Sequence, residues 1–172
     1  MKVILIGYMG SGKSVIAKKL SENLKILFVE LDNLIEKNQN LSIKDIFSKK
    51  GELFFRKLEH QIFNELILND NDTIISTGGG TPCYFNNHEL LNQENCISIY
   101  LKASIETLFH RLKKEKEDRP LLFNLTDIEL REFIAKHLFE RSFYYNQAKF
   151  KINVDGKNKE EIILEIQQLL TN

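Results

Sequence analysis

Short apolar runs alternate with stretches of helical spacing along this chain. The run KVILI, Lys2–Ile6, reads as a buried strand, and Lys13–Asn23 reads as a helix that turns Ile16, Ala17 and Leu20 inward. Lys25–Leu31 is a second apolar run, and another helix begins over Asp32–Lys37. Ser42 followed by Asp45 predicts a helix start, an acidic variant of the capping box, and Gly51 predicts that helix's end. Glu52–Leu68 is helical by the spacing of Phe55, Leu58, Ile62, Phe63 and Leu66. DTIIS, Asp72–Ser76, is a strand halted by TGGGTP. A further strand over Cys96–Leu101 leads into a helix from Ser104 to about Lys116. The charged stretch KKEKEDRPLL is a loop, because Pro120 cannot continue a helix. Thr126 caps a long helix to about Gln147, KFKINV is a last strand, and Lys159–Leu170 is a closing helix. Strands that alternate with helices in this way predict a parallel sheet covered on both faces.

Composition narrows the class without naming a chemistry. At 172 residues, one domain is expected, with 42% hydrophobic and 28% charged residues, ordinary for a globular protein. Twenty-four basic residues balance 24 acidic ones, so no global field favours nucleic acid or an anionic membrane. No apolar run approaches the roughly 20 residues of a membrane span, and VILI is too short for the core of a secretion signal. Cys83 and Cys96 lack metal or redox spacing, which predicts reduced, buried thiols and a cytoplasmic location. Nothing in the pattern calls for a partner chain, and a monomer is expected.

The first strand runs into GYMGSGKS, Gly7–Ser14, which fits G-x-x-x-x-G-K-[ST] with a strand before and a helix after. Glycines let successive backbone N–H groups curl toward one anion, and the helix N-terminus adds its dipole. Lys13 would then reach the β- and γ-phosphates of a nucleoside triphosphate, and Ser14 would offer its hydroxyl to Mg²⁺. A later strand ending in an acid commonly helps hold that metal, but DTIIS ends in Ser76-Thr77-Gly78. The alternative is the second strand's end, where Glu30 and Asp32 flank Leu31. Period two predicts both carboxylates on one side of that strand, at the rim where the phosphate loop opens.

A second cluster, Gly78-Gly79-Gly80, also follows a strand and suggests backbone N–H groups approaching a second ligand. Three arginines complete the inventory: Arg56 with Glu59 one turn on, Arg119 before Pro120, and Arg141 in FERSFYYNQA. Together they suit a kinase that needs a planar fork for an acceptor's carboxylate and a cation for the phosphate in transit.

In this order GYMGSGKS, ELD, GELFFRKLE, STGGGTP, DRPLL and ERSFYYNQA resemble the motifs of the shikimate kinase family over essentially the whole chain. The first motif is shared with very many nucleotide-binding proteins, and the combination of the others is specific. The resemblance implies phosphorylation of the 3-hydroxyl of shikimate by ATP with Mg²⁺, in aromatic amino-acid biosynthesis. It implies a three-layer α/β/α fold with a five-stranded parallel sheet of the nucleoside-monophosphate-kinase type. An acceptor-binding region would span residues 32–62 and a lid residues 114–126. Asp32 would bind shikimate's hydroxyls and take part in catalysis, Arg56 and Arg141 its carboxylate, and Gly79 and Gly80 a ring hydroxyl through backbone N–H. Gly10, Ser11, Gly12, Lys13, Ser14 and Val15 would surround the phosphates, and Arg119 would reach them from the lid. Arg111 would pack on adenine, as would the stretch after Val154, while Phe47 and Phe55 would wall the acceptor or simply pack the core. Ser14 and Glu30 would serve the metal.

One position departs from the family: Glu30 stands where its D-x-D has the first Asp. If that group meets Mg²⁺ through water, the extra methylene is tolerable; if it accepts a proton, the geometry is tighter. Two rivals remain open at this point. One is another small-molecule kinase on this scaffold, such as a gluconate or nucleoside-monophosphate kinase. The other is a non-catalytic nucleotide-binding switch, although no N-K-x-D sequence is present.

Overall fold

A parallel five-stranded sheet in the order β2-β3-β1-β4-β5 forms the centre of the computed structural model, which describes residues 1–116 and 121–171. The strands are β1 (Lys2–Ile6), β2 (Leu27–Glu30), β3 (Thr73–Ser76), β4 (Cys96–Lys102) and β5 (Phe150–Asn153). Around them lie α1 (Lys13–Leu24), α2 (Leu31–Gln39), α3 (Ile43–Leu68), α4 (Asn87–Leu90), α5 (Ile105–Lys114), α6 (Asp127–Tyr145) and α7 (Lys159–Thr171). The expected α/β class and five-stranded parallel sheet are therefore present. β1 is buried at every position, as a central strand covered on both faces must be. The edge strand β2 leaves Leu27 exposed.

Register brings the site together. Glu30 pairs with Ser76, and Ser76 pairs with Leu5, so β2, β3 and β1 end level with one another. Thr77 extends this line by donating both its N–H and its hydroxyl to the Leu5 carbonyl. The phosphate loop after β1 and the glycine triplet after β3 are thus neighbours at one rim.

Helix signals in the sequence hold locally. The Asp45 N–H donates to the Ser42 hydroxyl, and Thr126 with Glu129 forms a reciprocal capping box. Ile16, Ala17 and Leu20 are buried on α1. Two features differ from expectation. A 3₁₀ turn (Thr81–Cys83) and α4 occupy a segment with no helical period long enough to read. Cys83 is half-buried rather than buried, while Cys96 is buried; both are free thiols.

The helix break predicted at Gly51 is a kink inside α3, with φ 81° and ψ 166°. An L-residue there meets no neighbour, since nothing lies within 4 Å of an added Cβ, so its cost is purely conformational. Gly51→Ala should therefore lower stability by about 1–3 kcal/mol, the scale of one strained backbone position. Urea denaturation measures this, and an unchanged midpoint would mean that the helix runs without the kink in solution.

Candidate functional site

The phosphate loop is held by cations on its carbonyl side. The Lys13 ammonium donates to the Gly7 and Tyr8 carbonyls at 2.9 and 3.0 Å. From α5, Arg111 donates to the Gly10 and Ser11 carbonyls at 3.0 and 3.2 Å. Gly12, at φ 101°, is the residue before α1 and turns the chain where other residues would strain. With these carbonyls bound, the loop presents its other face to a cleft of about 860 Å³ lined by residues 9–16. Glu30, Asp32, Arg111 and residues 157–160, in the stretch after Val154, line the same cleft. Val15 is exposed at its edge. The Ser11 hydroxyl is buried there without a protein partner, an orphan that suits an anionic ligand.

Ser14 and Glu30 meet directly: the Ser14 hydroxyl donates to Glu30 Oε1. A hydroxyl beside a carboxylate is a hard oxygen pair, the donor type for Mg²⁺. Among the described residues no group of three His, Cys, Asp or Glu side chains is placed to hold a metal. A divalent cation bound by Ser14 and Glu30 would therefore need phosphate oxygens and water to complete its shell.

Asp32 sits on a helix, as the start read at Asp32–Lys37 predicts, and not on the strand that period two requires. β2 stops at Glu30, whose extended backbone starts α2, so Asp32 lies in the first turn of a helix and not two residues along a strand. The carboxylates still line one cleft, because the helix begins at the rim. Asp32 Oδ1 lies 3.0 Å from where a Gly78 Cβ would be. Burial, reinforced by the nearby Glu59 carboxylate, pushes the Asp32 carboxyl up to about 6; Lys13 and Arg56 oppose that rise.

The glycine triplet serves a purpose beyond exposed N–H groups. A Cβ on Gly80 would stand 2.7 Å from the Arg56 guanidinium, and one on Gly79 would stand 3.3 Å from Arg141. The missing side chains let both arginines lie against the turn. Arg56 donates to the buried Glu59 carboxylate at 2.8 Å, stands 3.5 Å from Glu52, and stacks 4.1 Å from the Tyr84 ring centroid. Glu59 also accepts from the Thr81 hydroxyl at 2.7 Å. Arg141 lies over Tyr8, 5.5 Å from its ring centroid.

Asp32, Arg56, Gly79, Gly80 and Arg141 thus gather beside the phosphate loop. Phe55 is core and packs on Phe47 at 4.6 Å between ring centroids, which favours the packing role for both. Arg119 lies outside the described residues, as does part of the lid segment. Tyr8, Tyr84 and Tyr145 were not singled out by sequence reasoning; their roles come from tertiary contacts, and the only hint was the tyrosine in the ER…Y pattern.

The shikimate kinase family model matches residues 9–171. A shikimate kinase of Flavobacterium johnsoniae is 53% identical over 169 residues, covering 98% of each chain. The crystal structure of a shikimate kinase from Bacteroides thetaiotaomicron superposes with a TM-score of 0.91 at 34% identity, covering 100% of this chain and 99% of that one. A shikimate kinase from Acinetobacter baumannii in complex with shikimate gives 0.86 at 29% identity, covering 99% and 92%.

Asp32 also couples the site to stability. Its folded value of about 6 lies above its ordinary 3.8, so the folded state holds the proton more tightly. The associated stability is fully present below pH 3.8 and is lost as pH rises through 6. Asp32→Asn cannot ionise, so relative to wild type it should gain roughly 2–3 kcal/mol between pH 3.5 and pH 7.5. Urea denaturation of both proteins without ligand at the two pH values measures the gain, and parallel pH curves would contradict the buried-charge account.

Proposed function

The chain belongs to the shikimate kinase family, and we propose that it transfers the γ-phosphoryl group of ATP to the 3-hydroxyl of shikimate, giving shikimate 3-phosphate and ADP. The observation that carries this reading is the pairing of a nucleotide-type loop with two arginines and a carboxylate at the adjoining glycine turn. A nucleotide switch has no use for the second half of that arrangement.

On this reading Gly10, Ser11, Gly12, Lys13, Ser14 and Val15 receive the phosphates, and Lys13 moves from loop carbonyls toward the charge that shifts between oxygens. Arg111 and the stretch after Val154 contact adenine. Asp32 binds shikimate's hydroxyls and, ionised above about pH 6, accepts the proton of the 3-hydroxyl as its oxygen attacks phosphorus. Arg56 and Arg141 clamp the carboxylate, which fixes the ring, while Gly79 and Gly80 meet a ring hydroxyl. Arg119 supplies a cation from a lid over residues 114–126. The Lys113–Asp127 ion pair, 2.5 Å long, ties the two ends of that segment. Residues 32–62 form the acceptor-binding region of a single domain, and Phe47 and Phe55 brace it from the core.

Mg²⁺ fits beside Ser14 and Glu30, where it would neutralise charge on the β- and γ-phosphates. Glu30 would hold the metal, directly or through water, and a water between them would absorb the added methylene. The protein acts as a cytoplasmic monomer. No helix among the described residues is long and apolar enough to cross a membrane. Zero net charge gives nucleic acid no general attraction.

ADP release measured with shikimate, gluconate and nucleoside monophosphates as acceptors tests the assignment. Shikimate should drive turnover far above the rate without acceptor, and gluconate or a monophosphate in its place would overturn it. Arg56→Lys retains charge but loses the bidentate fork, so shikimate binding should weaken by roughly 1.5–3 kcal/mol, with ATP affinity unchanged. An equal loss of ATP affinity would move Arg56 out of the acceptor site. Glu30→Gln should raise the Mg²⁺ concentration needed for half-maximal rate and leave shikimate affinity alone. An unshifted Mg²⁺ curve with kcat collapsed throughout would assign Glu30 to proton transfer.

A further inference from the structure

Tyr145 lies one helical turn beyond Arg141 on α6 and is fully buried. A phenol at that depth requires a hydrogen-bond partner. Its hydroxyl donates to the Gly79 carbonyl at 2.6 Å, and the Arg141 guanidinium lies against the same residue, 3.3 Å from where a Gly79 Cβ would stand, and beside the phenol. The ring packs against Tyr100 of β4 with centroids 5.0 Å apart, which keeps the oxygen in place. One tyrosine therefore joins the sheet, the glycine turn and the arginine.

The two arginines of the acceptor site are held in opposite ways. Arg56 leans on the Glu59 and Glu52 carboxylates, so much of its charge is already compensated. Among the described residues no carboxylate lies within ion-pair distance of Arg141. The Tyr145 phenol, the Gly79 turn and the face of Tyr8 stand beside it. A neutral oxygen and an aromatic face can orient a guanidinium without cancelling its charge.

We propose that Tyr145 is a positioning residue that selects a carboxylated acceptor: it fixes Arg141 through a neutral oxygen and leaves that cation's charge for the acceptor's carboxylate. This rests on the reading of Arg141 as a carboxylate ligand. Arg56 then acts mainly as a geometric fork, and Arg141 as the charge that distinguishes an acid from its uncharged analogue.

Calorimetric binding of shikimate and of shikimate methyl ester tests this on wild type, Tyr145→Phe, Arg141→Ala and the double variant. Tyr145→Phe should weaken shikimate about ten-fold, the weight of one hydrogen bond to a charged group. Its affinities for the ester and for ADP should stay at wild-type values. In the Arg141→Ala background the second change should add nothing, because Tyr145 acts through Arg141. Equal losses for acid and ester, or a further loss on top of Arg141→Ala, would reduce Tyr145 to a packing role and overturn the proposal. Should Tyr145→Phe fail to fold, 3-fluorotyrosine at position 145 preserves shape, offers a weaker acceptor oxygen, and must weaken the acid alone. Wild-type protein that binds no shikimate would overturn the acceptor assignment itself, whereas normal wild-type binding with an unaffected Tyr145→Phe overturns this proposal alone.

Discussion

A carboxylate with no access to water, Glu59, sets the terms for the Gly78–Gly80 side of this protein's cleft. Such a charge is tolerable only when paired and hydrogen-bonded, and Glu59 has both Arg56 and the Thr81 hydroxyl. Its partners come from different places. Arg56 shares α3 with Glu59, while Thr81 follows the glycine triplet after β3. Satisfying one buried charge therefore clamps α3 to the sheet rim. The clamp also uses the space left by glycine at position 80, where a Cβ would crowd the guanidinium.

The same charge has a cost nearby. Glu59 stands near Asp32 and, together with burial, lifts the Asp32 carboxyl well above its ordinary range. Holding Asp32 ionised at neutral pH works against folding, and Lys13 and Arg56 offset only part of that cost. On the nucleotide side, Lys13 and Arg111 bind loop carbonyls and so fix which face of the loop meets the cleft. The rim carries groups that are individually unfavourable and are held because they act together. Stability given up for a working site is the usual exchange in enzymes.

Local chemistry was readable from sequence, and long-range chemistry was not. β1 and the phosphate loop were legible because an apolar run, a glycine pattern and a helix start are contiguous. The Ser42 and Thr126 caps and the Gly51 break were legible for the same reason. At Asp32 the strand period and the helix start compete within three residues, and the helix wins from Leu31. The glycine triplet was recognised as a close-approach device, but what approaches it from the protein, two guanidiniums, depends on helices far away in sequence. Tyr8, Tyr84 and Tyr145 follow the same logic: each looks like an ordinary aromatic until the fold puts an arginine against it. The short elements between Thr81 and Leu90 carry too few residues for a period to register.

The acceptor's carboxylate position tests the site most directly. A crystal structure of the protein with shikimate and ADP reads that position directly. The carboxylate should lie between Arg56 and Arg141 at the Gly79–Gly80 turn, with a ring hydroxyl on Asp32 facing the phosphate loop. Shikimate bound with its carboxylate away from both arginines, or with Asp32 untouched, would contradict the account.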